Sequence, residues 1–132
     1  MKTYHGSCHC GAVRFEADID LGQGTLKCNC TICTKMRWWA AAVKPEAFRL
    51  LRGAGDLGDY RYASKRNGHA FCKRCGIHTF AHVDSPRAGQ FYAVSLACLD
   101  DMPVDELAGA AVTCLDGRHD NWTTPPAEIW HL

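Results

Sequence analysis

At 132 residues, with 47% hydrophobic and 22% charged side chains, the chain carries enough apolar material for a modest core and is expected to form one domain over 1–132. A formal net charge of +1 with no basic or acidic tail argues against nucleic acid or a charged membrane surface as the main partner. The longest apolar run, 38–43, is too short to span a bilayer, and the first six residues lack the apolar stretch of a secretory leader, so the expected location is cytoplasmic.

Taken in order, residues 6–11 read as a turn holding a first cysteine pair. Residues 12–18 alternate apolar and polar side chains, the pattern of a half-buried strand. A loop at 21–24 leads to a short strand at 25–27, then to a dense cysteine cluster. The aromatic and alanine-rich stretch 36–43 reads as a strand. Pro45 opens a single helical turn at 45–48, followed by a short apolar stretch at 48–51 and a glycine-rich loop at 53–56. Strands are predicted at 60–62, 77–83 and 91–99, with polar turns at 64–68 and 84–89. A short helix fits 104–111, and the tail 116–132 reads as turns with a Pro125-Pro126 stop. Many short strands and little helix predict a mostly β domain braced by metal.

Nine cysteines are many for this length, and their number is odd. In a reducing compartment, clustered cysteines are metal ligands or catalytic groups rather than a disulfide framework. Cys72-Lys73-Arg74-Cys75-Gly76 has the two-residue spacer that turns two sulfurs toward one ion, with glycine allowing close backbone approach. Cys8-His9-Cys10-Gly11 supplies two further sulfurs, and the four together make a closed structural zinc site joining distant parts of the chain.

Cys28-Asn29-Cys30-Thr31-Ile32-Cys33 is then left as a set of three, one ligand short of a tetrahedral ion. Water, a substrate or a protein side chain (Cys98, Cys114 or a histidine) can supply the fourth position. Cys98 and Cys114 otherwise read as core residues on apolar strands, and His9 as exposed. His78 reads either as a donor to a thiolate or as a partly buried strand histidine. One of Trp38 and Trp39 packs in the core, and the other is a candidate wall of the three-cysteine site. Lys65 and Arg66, in the turn before Phe71, are the candidate contacts for an anionic thiol substrate.

These motifs carry a resemblance. Gly6-Ser7-Cys8-His9-Cys10-Gly11-Ala12-Val13-Arg14-Phe15, the Cys28–Cys33 cluster and Phe71-Cys72-Lys73-Arg74-Cys75-Gly76-Ile77-His78 strongly resemble the glutathione-dependent formaldehyde-activating enzyme family, whose wider domain family includes a vertebrate centromere protein. Cys98-Leu99-Asp100 and Asp116-Gly117-Arg118 also resemble family patterns. The resemblance implies an Mss4-like fold of small antiparallel sheets around zinc–thiolate sites. It implies a structural zinc on Cys8, Cys10, Cys72 and Cys75, and a second, catalytic zinc on Cys28, Cys30 and Cys33. The implied activity is that of a carbon–sulfur lyase, condensing glutathione as co-substrate with formaldehyde. In that reaction a thiolate attacks the carbonyl carbon, and His78 or water is the expected proton source. The competing readings are a non-catalytic zinc module that binds another macromolecule, and zinc–thiolate chemistry on a different thiol or electrophile.

Overall fold

The computed structural model describes residues 1–62 and 66–132. Among these residues, ten strands form two sheets. β1 (Lys2–Ser7), β2 (Arg14–Ile19) and β5 (Phe48–Arg52) make a three-stranded antiparallel sheet in the order β1-β2-β5. The second sheet has seven strands: β3 (Thr25–Cys28), β4 (Trp39–Val43), β6 (Leu57–Tyr60), β7 (Gly68–Cys72), β8 (His78–Ser85), β9 (Gly89–Ser95) and β10 (Val112–Leu115). Their order is β10-β3-β4-β9-β8-β7-β6, antiparallel except for the parallel β10–β3 pair. Among the described residues there are also two short α-helices, α1 (Thr31–Met36) and α2 (Val104–Ala108), and several 3-10 turns.

Alternation in β2 does what the sequence predicts: Phe15, Ala17 and Ile19 are buried while the residues between them are not. Phe15 stacks on Phe48 at 5.6 Å, and Phe48 meets Phe80 and Tyr92 at 4.5 Å each, so the small sheet packs on the large one through aromatic rings. Tyr4, Val94 and Leu96 close this core. Each such apolar side chain, fully buried, contributes about 1.5–3 kcal/mol.

Several elements differ from the sequence reading. Residues 2–7 form a strand whose polar members face solvent and whose Tyr4 and Gly6 are buried. The strand expected at 60–62 lies earlier, at Leu57–Tyr60. The cysteine cluster runs into a helix, α1, before β4 begins. The stretch expected as one strand over 91–99 ends at Ser95, and Cys98 lies in a 3-10 turn, Leu96–Cys98.

Candidate metal centres

The turn after β1 and the turn after β7 are built alike. Gly11 N–H donates to the Cys8 carbonyl and Gly76 N–H to the Cys72 carbonyl, and both glycines have φ of +81°. That left-handed conformation suits glycine, and it lets each turn bring two sulfurs to one side. The four sulfurs of Cys8, Cys10, Cys72 and Cys75 lie within 4.8 Å of one another. Cys10 Sγ is 3.6 Å from Cys8 Sγ and 3.7 Å from Cys72 Sγ. A tetrahedral ion with Zn–S bonds of about 2.3 Å requires sulfurs about 3.8 Å apart, whereas a disulfide requires about 2.05 Å. The donor set therefore fits zinc. Backbone N–H groups of Val13 and Arg74 donate to Cys8 Sγ and Cys72 Sγ at 3.3 Å each. The Ile77 and then the Cys10 N–H hold Cys75 down at about 6. This cluster ties the β1–β2 connection of one sheet to the β7–β8 connection of the other.

The second cluster forms where β3 ends. Cys28 closes the strand, Cys30 is the N-cap of α1, and Cys33 sits in its first turn. Cys30 Sγ accepts the Cys33 N–H, and Cys28 Sγ accepts the Cys30 N–H, each at 3.5 Å. Arg37, in the left-handed region at φ 55°, ends the helix by donating to the Cys33 and Thr34 carbonyls. The three sulfurs lie within 4.8 Å of one another, and among the described residues no further His, Cys, Asp or Glu joins them. Hydrogen bonds from Cys28 and then Cys33 pull Cys30 down to about 2, whereas Cys28 and then Cys30 push Cys33 up, and Cys30 pushes Cys28 up. Three thiolates at this separation need a cation, so this set also fits a metal, with three protein ligands.

The surroundings of the triad come largely from the C-terminal part of the chain. Asn29, between two of the cysteines, is buried. Its Nδ2 donates to Asp116 Oδ1 at 2.8 Å, and its Oδ1 accepts the Arg118 N–H at 3.0 Å. Arg118 Nε and Thr34 Oγ1 both donate to the Asn29 carbonyl at 3.0 Å. The Asn29 amide, followed by His119, holds the Asp116 carboxyl below the usual range. A Cβ on Gly117 would stand 2.7 Å from Cys28 Sγ and 2.9 Å from Trp122 Cη2. The Tyr62 hydroxyl is a hydrogen-bond partner of Cys30, and burial raises its pKa. Tyr62 stacks on buried His69 at 6.0 Å.

The remaining sequence-predicted residues are placed differently. Trp38 and Trp39 line a cleft of about 520 Å³ together with Cys8, His78 and Cys98, and the three clustered cysteines do not line it. The indole at the triad is that of Trp122. Cys98 is buried, shares the cleft with Cys8, and donates to the His78 carbonyl at 3.4 Å, so it is no fourth ligand of the triad. Cys114 is half-buried on β10 and His9 is exposed. His78 Nδ1 is buried with no partner among the described residues, and its ring lies 5.6 Å from Phe71. Arg66 pairs with Asp84 at 3.4 Å; Lys65 lies outside the described residues.

The family model of the glutathione-dependent formaldehyde-activating enzyme matches residues 3–131. The chain belongs to this family. A Rhodobacter sphaeroides protein solved as a structural-genomics target is similar in structure, with a TM-score of 0.70 and 29% sequence identity over 83% of this chain and 99% of that one. The two clusters built by the turns above lie within the span that the family model covers. Asp116 and Gly117 stand out in the sequence only as a family-like pattern. His119 and Trp122 are missed there, because nothing local marks their approach to a loop almost ninety positions earlier.

Proposed function

We propose that this family member is a zinc-dependent carbon–sulfur lyase that condenses a thiol, glutathione, with formaldehyde to the S-hydroxymethyl adduct. The observation that carries the reading is a cluster of three convergent thiols with no fourth His, Cys, Asp or Glu joining it among the described residues. Cys28, Cys30 and Cys33 would hold the catalytic zinc. Cys8, Cys10, Cys72 and Cys75 would hold the structural one. Bound at the three-cysteine site, zinc lowers the pKa of an incoming thiol and so favours its nucleophilic form at neutral pH.

The chain's own residues do the rest. Backbone N–H groups of Cys30 and Cys33 offset thiolate charge, and Tyr62 donates to Cys30. Trp122 stands beside Gly117 and Cys28 at the edge of the site. The thiol sulfur attacks the carbonyl carbon of formaldehyde, the C=O π electrons move to oxygen, and one proton passes from sulfur to that oxygen. Lys65 and Arg66 follow Tyr62 by three and four positions in the sequence, and we propose them as the contacts of the thiol's anionic groups. The placement of Cys98 away from the triad supports this reading over a closed, purely structural second site.

Exchange between free glutathione, formaldehyde and their adduct, followed by NMR, tests it. Zinc-loaded wild-type protein is expected to raise the exchange rate above the uncatalysed one, and Cys30→Ser to abolish the increase. A wild-type rate equal to the uncatalysed rate contradicts the reading.

A further inference from the structure

We propose that His119, oriented by the buried carboxylate of Asp116, is the proton-transferring residue of the three-cysteine site and touches the bound thiol through Nε2. The inference rests on the function proposed above.

Its basis is geometric. Residues 116–118 lie against the triad loop: Asp116 Oδ1 accepts from Asn29 at 2.8 Å, Gly117 abuts Cys28, and the Arg118 N–H donates to Asn29 at 3.0 Å. The 3-10 turn Gly117–His119, with the His119 N–H on the Asp116 carbonyl at 3.2 Å, folds the imidazole back over the carboxylate. His119 Nδ1 is 2.8 Å from Asp116 Oδ1 and 3.0 Å from Oδ2. A carboxylate only accepts, so Nδ1 carries the hydrogen, and in the neutral ring Nε2 keeps its lone pair. The two partners are exposed to opposite degrees: the Asp116 side chain is 11% exposed and that of His119 is 72% exposed. A buried carboxylate that fixes the tautomer of an accessible imidazole is the arrangement that a general acid–base requires. An ordinary surface ion pair would not bury its acid, nor share that acid with a residue lying between two clustered cysteines.

The step balances within the proposed reaction. His119 Nε2 takes the proton from the thiol as sulfur bonds to the formaldehyde carbon, and returns it to the oxygen as the C=O π bond breaks. Neither an oxidant nor a co-reactant is needed. Asp116 acts through His119 and is a positioning residue.

Two measurements on the zinc-loaded, full-length chain test this. In long-range ¹H–¹⁵N spectra, His119 is expected as the Nδ1–H tautomer, and its Nε2 signal is expected to move when glutathione is added; D116N is expected to give a tautomer mixture. An Nε2 signal that ignores glutathione overturns the inference. In the exchange assay, H119Q is expected to lose about 100-fold of the rate enhancement while keeping its zinc and its fold. H119Q with the wild-type rate also overturns it. If the wild type itself is no faster than the uncatalysed reaction, the formaldehyde reading fails, and the Nε2 response to glutathione alone decides whether this dyad meets the thiol.

Discussion

Gly117 lies so close to Cys28 that the first atom of any side chain there would stand 2.7 Å from the Cys28 sulfur. Its φ lies outside the left-handed region, so proximity alone excludes a side chain. Gly117→Ala is therefore expected to displace Cys28 or Trp122 and weaken the three-cysteine metal site selectively. Overpacking of this kind costs about 1–3 kcal/mol. Zinc measured per chain should fall by about one ion, with the far-UV spectrum unchanged. Full zinc content in this variant would show that Trp122 gives way and Cys28 does not.

Asn29 holds the triad loop to the C-terminal segment through its bonds to Asp116 at 2.8 Å and Arg118 at 3.0 Å. Asn29→Ala leaves the Asp116 carboxylate short of a donor. Its expected cost is about 1–3 kcal/mol, read as a lower urea midpoint with unchanged slope. Asn29→Asp places two carboxylates together, so it should be worse than alanine at pH 7 and recover as the pH is lowered.

Burial lowers the pKa of both His69 and His78, with His78 adding to the effect on His69, and the Nδ1 atoms of both are buried without partners among the described residues. For each, the folded value lies below the unfolded value of about 6.5. The unfolded chain then binds more protons in mild acid, and stability present above about pH 6.5 is lost as the pH falls through the folded values. Urea midpoints of wild type should drop between pH 7 and pH 5, with zinc content followed in the same samples. His69→Gln combined with His78→Gln should flatten that part of the profile; an equal slope in the double variant would assign the loss to other groups.

Cys75 is one of four sulfurs that join the connections of the two sheets. Structural zinc contributes its binding free energy to folding, about 10–16 kcal/mol in small zinc peptides. Cys75→Ser should therefore give a chain that is unfolded or aggregated at 37 °C, whereas Cys30→Ser stays folded. A soluble and cooperative Cys75→Ser protein would reverse the roles assigned to the two clusters.

The two cysteine clusters were legible because ligand spacing is local: Cys72-x-x-Cys75-Gly76 states its own turn. The strand at Arg14–Ile19 was legible from its alternation. Helix α1 was not, because it is one and a half turns long and is held by contacts outside composition, namely the Cys30 sulfur at one end and left-handed Arg37 at the other. Leu57–Tyr60 was read three residues late because the apolar pattern there is weak and its place is set by pairing with β7. The partners of the triad were the least legible. β10 pairs with β3 across more than eighty residues, and that pairing carries Asp116, Gly117 and His119 to the cysteines. Trp38 and Trp39, adjacent to the cluster in sequence, are carried away from it by α1 and β4 toward a different cleft.

Zinc content and glutathione–formaldehyde exchange, measured on the same preparations of wild type and Cys30→Ser, test the central claim most directly. The account predicts about two zinc ions per chain and accelerated exchange for the wild type, against about one ion and the uncatalysed rate for a folded Cys30→Ser. Equal zinc content in the two proteins, or equal exchange rates, would contradict it.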